Sequence, residues 1–86
     1  MELKVFTLPT CPTCPLAKTI ASEVASELGI LYREINMATQ EGLREGLGHN
    51  VFGTPSFAID DEVIARGIVL SKDKLKQEVK RKLGQG

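Results

Sequence analysis

Apolar and polar positions change period along this chain, and the changes mark out its elements. Glu2 to Leu8 (ELKVFTL) is a short, apolar and β-branched run closed by Pro9, which predicts a strand. From Leu16 the spacing lengthens to four, with Leu16, Ile20, Val24 and Leu28 in series. Ala17, Ala21 and Ala25 flank them, and Lys18, Ser22, Glu23, Ser26 and Glu27 take the other sides. That pattern predicts an amphipathic helix, with Gly29 as its stop. Ile30 to Asn36 (ILYREIN) reads as a second strand. A strand, a helix and a strand in succession predict parallel pairing.

Within MATQEGLREGLGHN, Leu43 and Leu47 keep helical spacing. Gly42, Gly46 and Gly48 each weaken a helix by about 1 kcal/mol relative to Ala, so the expectation is a short, marginal helix. PSFAI (Pro55 to Ile59) and EVIAR (Glu62 to Arg66) flank an Asp60-Asp61 turn. Asp tolerates left-handed backbone, which predicts a hairpin. Ser71 is placed to cap a last helix carrying Leu75, Val79 and Leu83, and Lys80, Arg81 and Lys82 suit its negative end. The order β-α-β-α-β-β-α predicts an α/β fold with one mixed sheet covered by helices. The first strand delivers Cys11 to the start of the first helix, where open α/β sheets tend to hold their chemistry.

Composition narrows the function. With 86 residues the chain is read as one domain spanning 1–86. Hydrophobic residues at 42% and charged ones at 26% are ordinary for a globular protein. Eleven basic residues balance eleven acidic ones, so charge offers no case for nucleic acid or an anionic membrane. No apolar run reaches transmembrane length, and MELKVFTLP is too short and polar for a signal peptide. The expectation is a cytoplasmic monomer whose terminal GQG frays.

The two cysteines, Cys11 and Cys14, lie in TCPTCP. A structural disulfide there would close a very small loop and remove little unfolded-state entropy, in a compartment where such bridges are rare outside hyperthermophiles. A structural zinc site needs about four ligands, and the chain adds only His49 to the pair. A metal carrier is a further reading, since two thiolates hold Cu(I). It would be expected on an exposed loop in a chain ordered β-α-β-β-α-β, whereas this chain has a helix between its second and third strands. A redox role draws on more of the sequence. A thiolate is the nucleophile of disulfide exchange, and a helix N-terminus favours the anion through unpaired N–H groups and the helix dipole. The two-residue spacing lets the second thiol reach a mixed disulfide and release the product.

A second feature lies far along the chain, in GTPSFAI (Gly53 to Ile59), where a proline directly precedes an apolar strand. Together, CPTC and TPSF in this element order resemble the thioredoxin/glutaredoxin superfamily, in particular its small glutaredoxin-like members of archaeal and thermophile type. The likeness spans nearly the whole chain. It implies a thioredoxin fold with a four-stranded mixed sheet and three helices, and a thiol–disulfide oxidoreductase needing no cofactor beyond a redox-active Cys11–Cys14 disulfide. By the same likeness Cys11 attacks and Cys14 resolves, and Pro12 and Thr13 influence the redox poise. Pro55 would be cis and face the pair, and Thr54 would offer backbone groups to the substrate. No metal is implied.

Departures from the family pattern bear on partners. Glutathione-using glutaredoxins carry a lysine where this chain has Leu8. After the last strand they carry Gly-Gly-x-Asp, where it has Arg66-Gly67-Ile68-Val69. Two glutathione anchors are therefore missing, which favours protein disulfides as substrates and a thioredoxin-reductase-like flavoprotein as reductant, with glutathione as the alternative. Thioredoxins also bury an aspartate six residues before the first cysteine. Val5 stands there, so no obvious carboxylate serves Cys14.

Other polar positions have plainer readings. His49 reads as a solvated loop residue, Lys4 as an edge or surface lysine, and Lys80 to Lys82 as a solvated helix end. Arg66 is a candidate positive rim for an acidic substrate tail.

Overall fold

In a computed structural model that describes residues 1–84, the chain folds as β1 (Glu2–Thr7), α1 (Cys14–Leu28), β2 (Leu31–Asn36), α2 (Gln40–Gly48), β3 (Ser56–Ile59), β4 (Glu62–Arg66) and α3 (Lys72–Gly84). Of the terminal GQG expected to fray, Gly84 ends α3, and Gln85 and Gly86 lie outside the described residues. The strands form one mixed sheet in the order β2-β1-β3-β4. β1 runs parallel to β2 and antiparallel to β3, and β3 pairs antiparallel with β4.

β1 is central, with five of its six residues buried because both faces are covered. Leu3 and Val5 join Phe57, Ile59 and the inner faces of α1 and α3, while Phe6 and Ala58 pack with Ile35, Met37 and Val51 on the opposite face. The centrality of β1 corrects the reading of Lys4. It is 8% exposed, neither an edge nor a surface residue. Its ammonium lies 3.3 Å from Glu45 of α2 and 3.8 Å from Glu2, as a buried charge requires.

Local chemistry explains the element ends. Gly29 closes α1 in the left-handed conformation and donates its N–H to the Ala25 carbonyl. Asp60 takes φ 53° in the β3–β4 turn, and its carboxylate accepts the Glu2 N–H at 2.8 Å. Ser71 accepts the Lys74 N–H at 3.2 Å. Thr39 caps α2 in the same way, accepting the Gly42 N–H at 2.9 Å.

Two helices present other faces than their leucines suggest. α1 begins at Cys14, two residues before the expected start, and buries Cys14, Ala17, Ala21, Val24 and Ala25 while Leu16 is exposed. Strict spacing by four drifts around a helix of 3.6 residues per turn, so the small residues take the contact. In α2 the buried residues are Gly42 and Gly46, and Leu43 and Leu47 face out. These glycines are positions of close approach. A Cβ on Gly42 would lie 1.8 Å from the Asn36 carbonyl oxygen, and one on Gly46 would lie 2.6 Å from Met37 Cε. On α3, Leu75 and Val79 are buried and Leu83 is exposed.

Candidate active site

Cys11 and Cys14 are joined in a disulfide with their Cα atoms 5.4 Å apart. The chain leaves β1 at Thr7 and turns tightly, with the Cys11 N–H donating to the Leu8 carbonyl at 3.1 Å. Cys11 and Pro12 therefore precede α1, with Thr13 as its N-cap and Cys14 as its first residue. Pro15 sits in the first turn, where its missing N–H would have had no helical partner. Pro12 lies in the turn ahead of the helix rather than in its first turn.

The two sulfurs have different surroundings. Cys14 is 2% exposed among the core residues of α1, while Cys11 is partly exposed. The Thr13 hydroxyl lies 3.7 Å from the Cys11 sulfur, within hydrogen-bonding reach of a thiol or thiolate there. An open cleft of about 240 Å³ runs beside the disulfide and is lined by both cysteines together with Thr7, Leu8, Lys18 and Glu34. In the parallel pairing of β1 with β2, Val5 lies abreast of Glu34. Glu34 stands on the cleft wall, carried there by the neighbouring strand. Thr7 donates its hydroxyl to Glu34 Oε2 at 2.9 Å, and Lys18 Nζ stands 3.7 Å from the same oxygen.

β3 starts at the same end of the sheet, since Phe6 is in register with Ser56. The peptide bond before it, Thr54–Pro55, is cis. Pro55 is buried and Thr54 partly exposed. Ser56, fully buried, locks this loop by donating to the Gly53 carbonyl at 2.7 Å and accepting the Gly67 N–H at 3.2 Å.

The remaining polar candidates have structural partners. His49 packs edge-on against Phe6 with ring centroids 5.8 Å apart, so it is a packing residue at the end of α2 rather than a freely solvated one. Arg66 donates to the carbonyls of Asn50 at 3.3 Å and His49 at 3.5 Å. Its guanidinium ties down the loop after α2 while the residue stays exposed. Among the described residues, no three His, Cys, Asp or Glu side chains gather as a metal site, and no helix is long and apolar enough to cross a membrane.

Sequence reasoning passed over Thr7, Lys18, Glu34 and Ser56. Lys18 had a visible signal, lying one helical turn beyond Cys14. The place of Glu34 depends on strand register, which no local spacing reveals.

Comparison with known proteins agrees with this architecture. A family model described as "Thioredoxin domain" matches residues 1–80. The chain is 41% identical over 66 residues to a protein of Archaeoglobus fulgidus named "Probable Thioredoxin", covering 77% of this chain and 72% of that one. It is 26% identical over 83 residues to "Thioredoxin" of Methanocaldococcus jannaschii, covering 96% of each. Thioredoxin 1 of Thermosipho africanus superposes with a TM-score of 0.79 at 20% identity, covering 98% of this chain and 96% of that one, a likeness of fold. With a bridged Cys-x-x-Cys at the head of its first helix, the chain belongs to the thioredoxin family and is a thiol–disulfide oxidoreductase.

Proposed function

We propose that this protein reduces protein disulfides by dithiol exchange, with Cys11 attacking and Cys14 resolving. The observation that carries the reading is the bridge between a partly exposed sulfur and a buried one at the start of α1. An attacking thiolate needs access, and a resolving thiol needs protection from competing disulfides. The Cys11 thiolate attacks one sulfur of the substrate disulfide and forms a mixed disulfide. The other substrate sulfur leaves as a thiolate and takes up a proton. Cys14 then gives up its proton and attacks the Cys11 sulfur, expelling the second substrate thiolate. Two electrons and two protons pass to the substrate, and the Cys11–Cys14 bridge remains.

Thr54 and Pro55 form the substrate side of the site with Pro12 and Thr13, and Thr54 offers backbone groups to the incoming peptide. Regeneration falls to a flavoprotein of the thioredoxin-reductase type. Leu8 in the place of the glutathione-binding lysine supports that choice, as does Arg66-Gly67-Ile68-Val69 in the place of Gly-Gly-x-Asp. Residence in the cytoplasm completes the reading.

The test is reduction of insulin disulfides, with dithiothreitol, a thioredoxin reductase, or glutathione with its reductase as electron source. Wild-type protein should turn over with the flavoprotein. Cys11→Ser should abolish turnover, and Cys14→Ser should accumulate mixed disulfides visible on non-reducing gels. Full activity in Cys11→Ser would overturn the mechanism. Turnover with glutathione alone would replace the reductase, and stoichiometric metal without turnover would replace the exchange reading altogether.

A further inference from the structure

The segment between α2 and β3 ends in Thr54 and Pro55, and side chains of β3 and β4 fasten it. Ser56 opens β3 with a side chain that is fully buried. Its hydroxyl donates to the Gly53 carbonyl at 2.7 Å and accepts the Gly67 N–H at 3.2 Å. A single oxygen thus joins the turn before β3 to the end of β4, acting as donor and acceptor at once. Packing alone does not call for that hydroxyl, since alanine would fill the position with no polar group to satisfy. Arg66, the register partner of Ser56 on β4, takes up the carbonyls of Asn50 at 3.3 Å and His49 at 3.5 Å. The carbonyls of His49, Asn50 and Gly53 are therefore all engaged from the β3–β4 side. Thr54, next in the chain, is partly exposed, and among the described residues neither its N–H nor its carbonyl has a hydrogen-bond partner. Free backbone groups on a held segment are what an extended peptide pairs with.

We propose that Ser56 and Arg66 are positioning residues for peptide substrates. Together they hold the backbone before Pro55 so that the free N–H and carbonyl of Thr54 meet an extended peptide in a preset pose. The proposal rests on the dithiol-exchange reading and on Thr54 as its peptide-binding position. Neither side chain takes part in the exchange itself. They order the segment in advance, so that binding does not have to order it. A disulfide without a peptide backbone draws no benefit from the pose.

Single turnovers of the dithiothreitol-reduced protein test this against a disulfide-bridged peptide without charged side chains and against hydroxyethyl disulfide. The peptide is uncharged so that loss of the Arg66 charge is not itself a lost contact. Ser56→Ala and Arg66→Met should each lower the rate constant with the peptide by about three- to tenfold, the scale of a weakened backbone hydrogen bond, and leave that with hydroxyethyl disulfide within about twofold of wild type. Arg66 is exposed, so Arg66→Met keeps its fold and decides the matter should Ser56→Ala not fold. A purely structural role would lower the thermal midpoint and slow both reactions alike. That result, or an unchanged peptide rate in either folded variant, overturns the proposal and leaves the exchange reading standing. A wild-type protein inactive on the peptide also removes the proposal, and inactivity on insulin as well removes the exchange reading with it.

Discussion

A methyl group on Gly42 would occupy space already held by the Asn36 carbonyl, and one on Gly46 would press into the Met37 side chain. Backbone cannot yield as a flexible thioether can, so the two positions differ. Gly42→Ala is expected to cost about 2–4 kcal/mol, as overpacking against rigid atoms does, and Gly46→Ala less. Gly48, at the end of α2, meets nothing within 4 Å. Gly48→Ala should therefore stabilise by about 0.5 kcal/mol through helix propensity alone. Urea midpoints of the three variants check the order. All three glycines look alike in sequence, and only Gly48 matches the weakening role that its residue type suggests. The cysteine pair and the strand-opening proline were legible because each is a rare residue in a rare setting. Lys18 and Glu34 are common residues, and their place in one cleft with the cysteines appears only once α1 and β2 are packed together.

At the scale of elements, α1 and α3 are joined by charge along their exposed seam. Lys72 pairs with Glu27 and, at 3.3 Å, with Glu23. Lys76 reaches Glu27 at 2.9 Å. Hydrogen bonds from Lys72 first and Lys76 second hold the Glu27 carboxyl down from 4.5 to about 2, and the same contacts raise Lys72. A folded-state value below the unfolded one means that the unfolded chain binds the proton more tightly. The stability from this seam is therefore complete above pH 4.5 and is lost as pH falls toward 2. The urea midpoint should drop across that window, less steeply in Glu27→Gln. About 1 M salt should shrink the difference, because the pairs are exposed and screened. The elements themselves were legible in kind and order. Hydrophobic spacing fixes that a segment is helical more firmly than which side faces in, as α2 illustrates: its leucines mark the helix, and its glycines make the contact.

Across the whole molecule, protection should follow the sheet order. β1 has a strand on each side and a packed layer on each face, with Leu3, Val5 and Phe6 fully buried. Amide hydrogen exchange should be slowest in β1, because its hydrogen bonds open only when the core does. Exchange should be fastest in residues 8–13, between β1 and α1, and in residues 50–54, between α2 and β3. β2 and β4, at the edges, should fall between. A flat exchange profile across the four strands would contradict this picture. Rigidity of β1 beside a freer cysteine turn leaves the reacting sulfurs room to rearrange while their anchor stays still.

The parallel register that sets Glu34 abreast of Val5 also separates two kinds of inheritance. The sulfurs and the residues between them belong to one short loop, whereas the carboxylate on the cleft wall is carried by a strand and lies twenty residues beyond Cys14. The lining of the cleft can therefore change on β2 without altering a single atom of the cysteine loop. Proteins with identical cysteine motifs can thus present different cleft walls to a partner, a difference that no comparison of those motifs would detect.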